Sequence, residues 1–328
     1  MSLDADLRNS LALPAVCAPM TMVSGPRLVR EACRSGIMGV LPRHNAGSSE
    51  EFESWLEGIR RDLDAHTAAH PGAVIGPLAV NIIARQAAEQ LRADVELSAR
   101  YGVKHFISAL GNPAEIARIV HEAGGRVFHD VTSLRFAAKA IEGGVDGLTC
   151  IGSGGGGHSG TLNALAFIPR VRQMWNGTIL FAGCISNGAA IRAAEILGAD
   201  LAYLGTRFIA TEESLAPPEY KAMLVHETSD DLHYTERVSG IPANWLKASL
   251  RRVNLDPQNL PLPIQGAARH QHLPADARPW RQIWSAGQGV DLIDDVPSVA
   301  DLVRRLRREY IAACELPDMR AAAAGLAP

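Results

Sequence analysis

Six glycines and a histidine fall within the nine residues Gly152-Ser153-Gly154-Gly155-Gly156-Gly157-His158-Ser159-Gly160. Glycine lets a backbone come close to a ligand, at an entropic cost that an ordinary loop avoids. His158 is the one titratable side chain in the stretch, and an imidazole with an ordinary pKa of about 6.5 suits proton transfer near neutrality. Taken alone, the stretch reads equally as a flexible loop that carries a histidine or as an active-site loop beside a general base. The apolar run directly before it, 146–151, reads as a buried strand, so the loop leaves a strand end.

Seven further runs of the same kind, short, apolar and ended by polar or glycine-rich turns, cover 14–19, 37–42, 76–82, 105–109, 126–129, 178–182 and 201–205. Helical patterns lie between them, among them 26–35, 49–66, 87–101, 113–123, 134–143 and 188–197. Strands alternating with helices imply a parallel sheet covered on both faces. Eight such units in about 200 residues fit a (β/α)8 TIM barrel, an α/β fold, better than an open sheet. After the eighth strand the alternation stops. The region 215–285 holds helical pieces, a proline-rich run at 256–263 and the group Arg269-His270-Gln271-His272. A last helix, 298–314, follows. The expected organisation is a barrel from 1–214 and 286–328, with 215–285 a smaller, mostly helical insertion. It would emerge at the C-terminal mouth, where active sites of this fold lie, as a lid or substrate domain.

That frame positions the remaining chemistry. Loops after the last two barrel strands commonly bind phosphate through backbone N–H groups. Here the seventh strand ends in Ala182-Gly183-Cys184-Ile185 and the eighth in Gly205-Thr206-Arg207, so Gly183, Cys184, Gly205 and Thr206 form a candidate cradle. It does not say whether the phosphate belongs to a substrate or a cofactor. The first strand ends in Ala18-Pro19-Met20, which can lie flat against a ring system. Asn81 would point a carboxamide into the same mouth, to read a heterocycle edge or to cap a loop. His129 and Asp130 end the fifth strand; Asp130 is expected to face the ligand, and His129 reads as readily as a structural neighbour.

At this level the sequence resembles the FMN-dependent nitronate monooxygenase family, once called 2-nitropropane dioxygenases, to which flavin enoyl-ACP reductases and some NAD(P)H:quinone reductases are related. The matching pieces are Ala18-Pro19-Met20 with Val23-Ser24-Gly25-Pro26, Ala79-Val80-Asn81, Gly156-Gly157-His158-Ser159-Gly160, Ala182-Gly183-Cys184-Ile185, Leu204-Gly205-Thr206-Arg207-Phe208 and Trp284-Ser285-Ala286-Gly287-Gln288. They stand in family order and span nearly the whole chain. The resemblance implies a non-covalent FMN across the barrel mouth, its phosphate on Gly183, Cys184, Gly205 and Thr206. It implies Ala18, Pro19, Met20 and Asn81 beside the ring, the 284–288 segment with Ser285, Gly287 and Gln288 over the cofactor, and His158 as catalytic base. Three positions depart from the family pattern. Cys184 replaces the second glycine of a Gly-Gly pair, which a backbone contact tolerates if its φ is negative. Asp130 stands where a lysine is common, and Ile151 where an acid is frequent; these two bear on substrate and on redox tuning.

Composition sets the outer limits. The chain has 328 residues, 47% hydrophobic and 20% charged, with 32 basic and 35 acidic residues, a formal charge of −3. That is an ordinary soluble globular composition. No basic stripe argues for nucleic acid, and the run Arg304-Arg305-Leu306-Arg307-Arg308 reads as a solvated helix face. No apolar run reaches the roughly 18 residues that cross a membrane, and no signal-peptide pattern opens the chain. The five cysteines, Cys17, Cys33, Cys150, Cys184 and Cys314, are scattered, which suits a cytoplasmic protein without disulfides or a zinc site. Cys17, Cys150 and Cys184 read as buried small hydrophobes. His270 and His272 lack the neighbours of a metal site. Trp245, Tyr234, Trp280 and Trp284 are aromatic candidates for the substrate wall or for the core. The expected partners are a small molecule and O2; the oligomeric state stays open. The functional expectation is oxidation of an alkyl nitronate or nitroalkane, with His158 as base. The alternatives are an NAD(P)H-dependent flavin reductase of a quinone or enoyl thioester, a flavin-free barrel isomerase or lyase with a phosphate substrate, and a non-catalytic ligand binder.

Overall fold

The computed structural model describes residues 3–263 and 270–315; Arg269 and the stretch 316–328 lie outside the described residues. In chain order the strands are β1 (Ala15–Cys17), β2 (Met38–Pro42), β3 (Leu78–Ile83), β4 (His105–Ala109), β5 (Arg126–Val131), β6 (Gly147–Ile151), β7 (Gly157–His158), β8 (Thr178–Ala182), β9 (Leu201–Leu204), β10 (Leu232–Thr235) and β11 (Ala243–Leu246). Eight of them close a barrel in the order β1-β2-β3-β4-β5-β6-β8-β9. Every neighbouring pair in it is parallel, and Val16 of β1 pairs with Tyr203 of β9 across the seam.

Both faces of each strand are buried, which is why the strands read as unbroken apolar runs. Val16, Val40, Ala79, Ile107, Phe128, Leu180 and Leu201 fill the barrel interior. Their chain neighbours Cys17, Leu41, Val80, Phe106, Val127, Ile179 and Ala202 face outward and pack beneath the helices. The short helix Ala5–Asn9 places Leu7 among the interior residues, and Asp4 beside it pairs with Arg126 at the foot of β5. Helix starts carry local signals. Ser48, Ser133 and Asn187 each accept a backbone N–H from the first turn of the helix they precede, and Pro26 opens another.

Seven outer helices follow their strands directly, but the eighth, Val299–Cys314, arrives only after the region beyond β9. It packs against the helices Pro26–Arg34 and Gly188–Leu197 and so fills the last place in the ring. The intervening region carries two apolar clusters of its own. One is built around Tyr220, Leu224, Trp284 and Val290, the other around Trp245, Leu250, Leu260 and Ile283.

The insertion corrects one expectation, that of a mostly helical segment. Among its described residues the α-helices are Pro218–His226 and Lys247–Arg252, and its link to the barrel is extended chain. β10 pairs with β11, and β11 pairs with β7, the strand formed by Gly157 and His158. Four-residue segments that satisfy each other across a ladder have no need of helix, and prolines at 257, 261 and 263 break the chain that follows. Among the described residues, no helix is long and apolar enough to cross a membrane.

Candidate active site

A cavity of about 370 Å³ opens at the C-terminal ends of the barrel strands. It gathers Ala18, Pro19 and Met20 after β1, Asn81 on β3, Asp130 on β5, Gly183 and Cys184 after β8, and Gly205 and Thr206 after β9. His158 from the glycine-rich loop and Ser285 and Gly287 from the returning insertion complete the set. Of the site residues expected from sequence, only Gln288 is not on the wall. Its Oε1 lies 3.8 Å from Cys184 Sγ, so it backs the cradle.

The glycine-rich loop is clamped. Asn244 of β11, 3% exposed, donates from Nδ2 to Gly155 O at 2.8 Å and to Ser153 O at 3.3 Å. Gln288 N donates to Gly154 O at 3.0 Å, and Ser159 N to Pro242 O at 3.2 Å. The glycines are what lets these segments meet. A Cβ on Gly154 would fall 1.9 Å from Cys184 Sγ, and one on Gly156 would fall 2.7 Å from Thr206 Oγ1 and 2.8 Å from Gly287 N. The flexible-loop reading of the stretch is thereby replaced by a packed turn. His158 is half-buried, registered opposite Ala243, and its ring meets Trp280 edge-on at 5.2 Å. Trp280 in turn leans on the buried Trp245 at 4.4 Å.

Cys184 corrects the sequence reading twice. Its φ is +57°, left-handed rather than negative, directly after Gly183 at +136°. The tight turn out of β8 imposes this, at a cost of roughly 1–2 kcal/mol for a side chain with a Cβ. It is also exposed to the cavity, whereas Cys17 and Cys150 are buried as expected. Thr206 Oγ1 accepts from Gly287 N at 2.9 Å, which leaves its own proton free to turn toward the cavity. Of the four aromatic candidates only Trp280 lines the wall; Trp245 and Trp284 are core, and Tyr234 donates to Ser159 O at 3.2 Å.

Sequence reasoning missed His44, Tyr203 and Tyr220, all on the wall. His44 follows β2 and shares a 2.9 Å hydrogen bond with Thr21 Oγ1; burial lowers its pKa. Tyr220 donates to Ser285 O at 2.5 Å and stacks on Trp284, which holds the covering segment in place. The polar run Pro42-Arg43-His44-Asn45 at a strand end was the available signal for His44. Nothing local marked the tyrosines, one on a strand and one on an insertion helix.

The electrostatics of the cavity are set by one acid. Among the described residues no lysine or arginine lines it, and Asp130 is the one carboxyl group on its wall. Burial pushes Asp130 up to about 7, with Thr149 acting in the opposite sense. His129 turns away from the cavity to Ser108 Oγ at 2.7 Å, and burial lowers its pKa to about 4, so it is a structural neighbour. His272 Nε2 lies 2.6 Å from Arg237 O and His270 Nδ1 3.2 Å from Val238 O, which engages both imidazoles with backbone.

The family model for nitronate monooxygenase matches residues 8–309. The chain belongs to the nitronate monooxygenase family. This is a family of flavin-dependent oxidoreductases. A Paraburkholderia phytofirmans nitronate monooxygenase is 26% identical over 90% of this chain and 92% of its own length. A Mycobacterium tuberculosis protein named (3aS,4S,5R,7aS)-5-hydroxy-7a-methyl-1-oxo-octahydro-1H-indene-4-carboxyl-CoA dehydrogenase is 29% identical over 72% of this chain. The match spans 64% of that relative, under two thirds of its length. Among solved structures, FabK from Thermotoga maritima shares the fold, with a TM-score of 0.74 at 23% identity, covering 94% of this chain and 96% of that one.

Proposed function

We propose that this nitronate monooxygenase family member is an FMN-dependent oxidoreductase that oxidises an alkyl nitronate, or deprotonates and then oxidises the parent nitroalkane. The observation that carries the reading is one cavity lined both by His158 and by the paired turns Gly183-Cys184 and Gly205-Thr206. The residues present fit a flavin mononucleotide. Backbone at the two turns and the Thr206 hydroxyl can take an anionic phosphate without a basic side chain. Ala18, Pro19 and Met20 offer an apolar face to a ring, Asn81 an amide beside it, and Asp130 a polar floor. Ser285 and Gly287 would hold it from the returning segment, with Gln288 behind Cys184.

In this reading His158 accepts the proton from the carbon next to the nitro group, and the edge-on Trp280 ring fixes the plane in which it does so. The apolar wall keeps water from the carbanion that proton removal leaves. The flavin supplies the two-electron acceptor, and O2 is the terminal oxidant. Positioned acid–base groups contribute about 10²–10⁴-fold, so most of the chemistry beyond proton removal rests with the cofactor.

The carboxyl-CoA dehydrogenase relative favours a second reading, a flavin enzyme acting on an acyl thioester with NAD(P)H as partner. One experiment separates them. The purified protein should be yellow, with FMN released on denaturation. Mixed anaerobically with NADH or NADPH it should keep its flavin oxidised, and a nitronate should bleach it. Rapid bleaching by NAD(P)H and none by nitronate favours the thioester reading; a colourless protein that takes up no FMN rejects both.

A further inference from the structure

The side chains that point into the barrel are apolar with few exceptions, and three of the exceptions gather just below the cavity. β5 contributes Asp130, β6 contributes Thr149 opposite it in register, and β9 contributes Tyr203. Thr149 is fully buried and Tyr203 is 7% exposed, while Asp130 and Tyr203 both reach the cavity surface. Asp130 Oδ1, Thr149 Oγ1 and Tyr203 OH are all buried, and apart from the Thr149 hydroxyl that leans on the Asp130 carboxyl they have no hydrogen-bond partner. Native interiors leave few such atoms, each at a cost of about 1–3 kcal/mol. Asp130 and Tyr203, together at the cavity surface, mark a place that something bound in the cavity completes.

The surroundings decide what kind of group these atoms present. Val16, Ala18, Leu180 and Ala182 around them are apolar. Asn81 on β3 gives its Nδ2 to Ile107 O at 3.1 Å. On the outer faces, burial pushes the thiol of Cys17 well up and that of Cys150 to about 12, so both are neutral. His129 faces Ser108, and among the described residues no lysine or arginine lines the cavity. A carboxyl group with no cation beside it lowers its energy by keeping a proton. Burial likewise holds the Tyr203 phenol in its neutral, donating form. The floor therefore presents hydroxyl and acid protons to an acceptor above it.

Resting on the flavin reading above, we infer that Asp130 and Tyr203, with Thr149 supporting the carboxyl from beneath, form a hydrogen-bonding floor for the ring system of the bound cofactor, in which Asp130 serves as a neutral acid and donates. A donor lost on ionisation couples cofactor binding to pH. FMN should bind the protonated floor tightly and the ionised floor weakly, and binding should raise the proton affinity of Asp130 further.

The test is fluorescence titration of FMN into the full chain stripped of flavin, from about pH 5.5 to about pH 8.5, with wild type, Asp130→Asn and Thr149→Val. The asparagine keeps shape and an N–H donor but cannot ionise. The ratio of wild-type to Asn Kd should be flat below neutrality and climb toward tenfold per pH unit above it. In Thr149→Val, loss of a hydroxyl that favours the charged form should move that climb to higher pH. A ratio flat over the whole range, or a Val variant with an unmoved profile, overturns the floor and leaves the flavin reading standing. Failure of wild type and variants alike to bind FMN overturns the flavin reading and the floor together.

Discussion

Asp130 is the residue at which this site departs most from a simple anion-binding cavity. Burial moves its pKa from 3.8 to about 7. Between those values the unfolded chain has released the proton while the native state holds it. Native protein then binds more protons, so stability falls as pH rises through that window, and the loss is complete above about 7. Asp130→Asn removes the effect. The melting temperature of the variant minus that of wild type should grow between about pH 5 and about pH 8, read by scanning calorimetry; a constant difference contradicts the buried, protonated carboxyl. At this scale the sequence was legible where the chemistry sat on strand ends. His158, Asn81, Asp130 and the Gly183 and Gly205 turns all line the cavity. It was not legible for Tyr203, whose inward direction depends on barrel register, or for the φ of Cys184, which the turn after β8 sets through tertiary packing.

Among the elements, the pairing of β7 with β11 converts a run of glycines into a fixed support for His158. Asn244 is its main polar link, because its carboxamide caps two loop carbonyls that a glycine-rich backbone leaves open. Asn244→Ala leaves the carbonyl of Gly155 buried without that partner, and should cost about 1–3 kcal/mol in urea unfolding. Unchanged stability would mean that the loop holds itself. All eight barrel strands fall within about two residues of the expected ranges, because each is apolar on both faces and bounded by a turn. β7, β10 and β11 escaped the same reading. A two-residue strand has no period, and its partner lies far along the chain. The helical pieces foreseen in the insertion do occur, but the contact that matters for the site is made by extended chain.

Over the whole molecule, the insertion leaves the ring after β9 and rejoins it before the eighth helix, so both its ends are anchored in the barrel. Arg207, 1% exposed beside Thr206, donates to Asp295 Oδ1 at 3.1 Å and to Ala210 O at 3.1 Å. That bond ties the exit of the insertion to its return. The arrangement explains how Trp280, Ser285 and Gly287 reach a cavity that the barrel strands alone would leave open. It also joins His158 and the proposed flavin site, with the proposed base carried on the loop after β6 and paired to β11 of the insertion. The most direct test of this account is anaerobic stopped-flow mixing of the FMN-loaded protein with a neutral nitroalkane, wild type against His158→Asn. The wild-type flavin should bleach, and the variant should bleach about 10²–10⁴-fold more slowly while responding normally to the preformed nitronate, which has no proton left to remove. Equal rates with the nitroalkane, or no bleaching of the wild type by either compound, would contradict it.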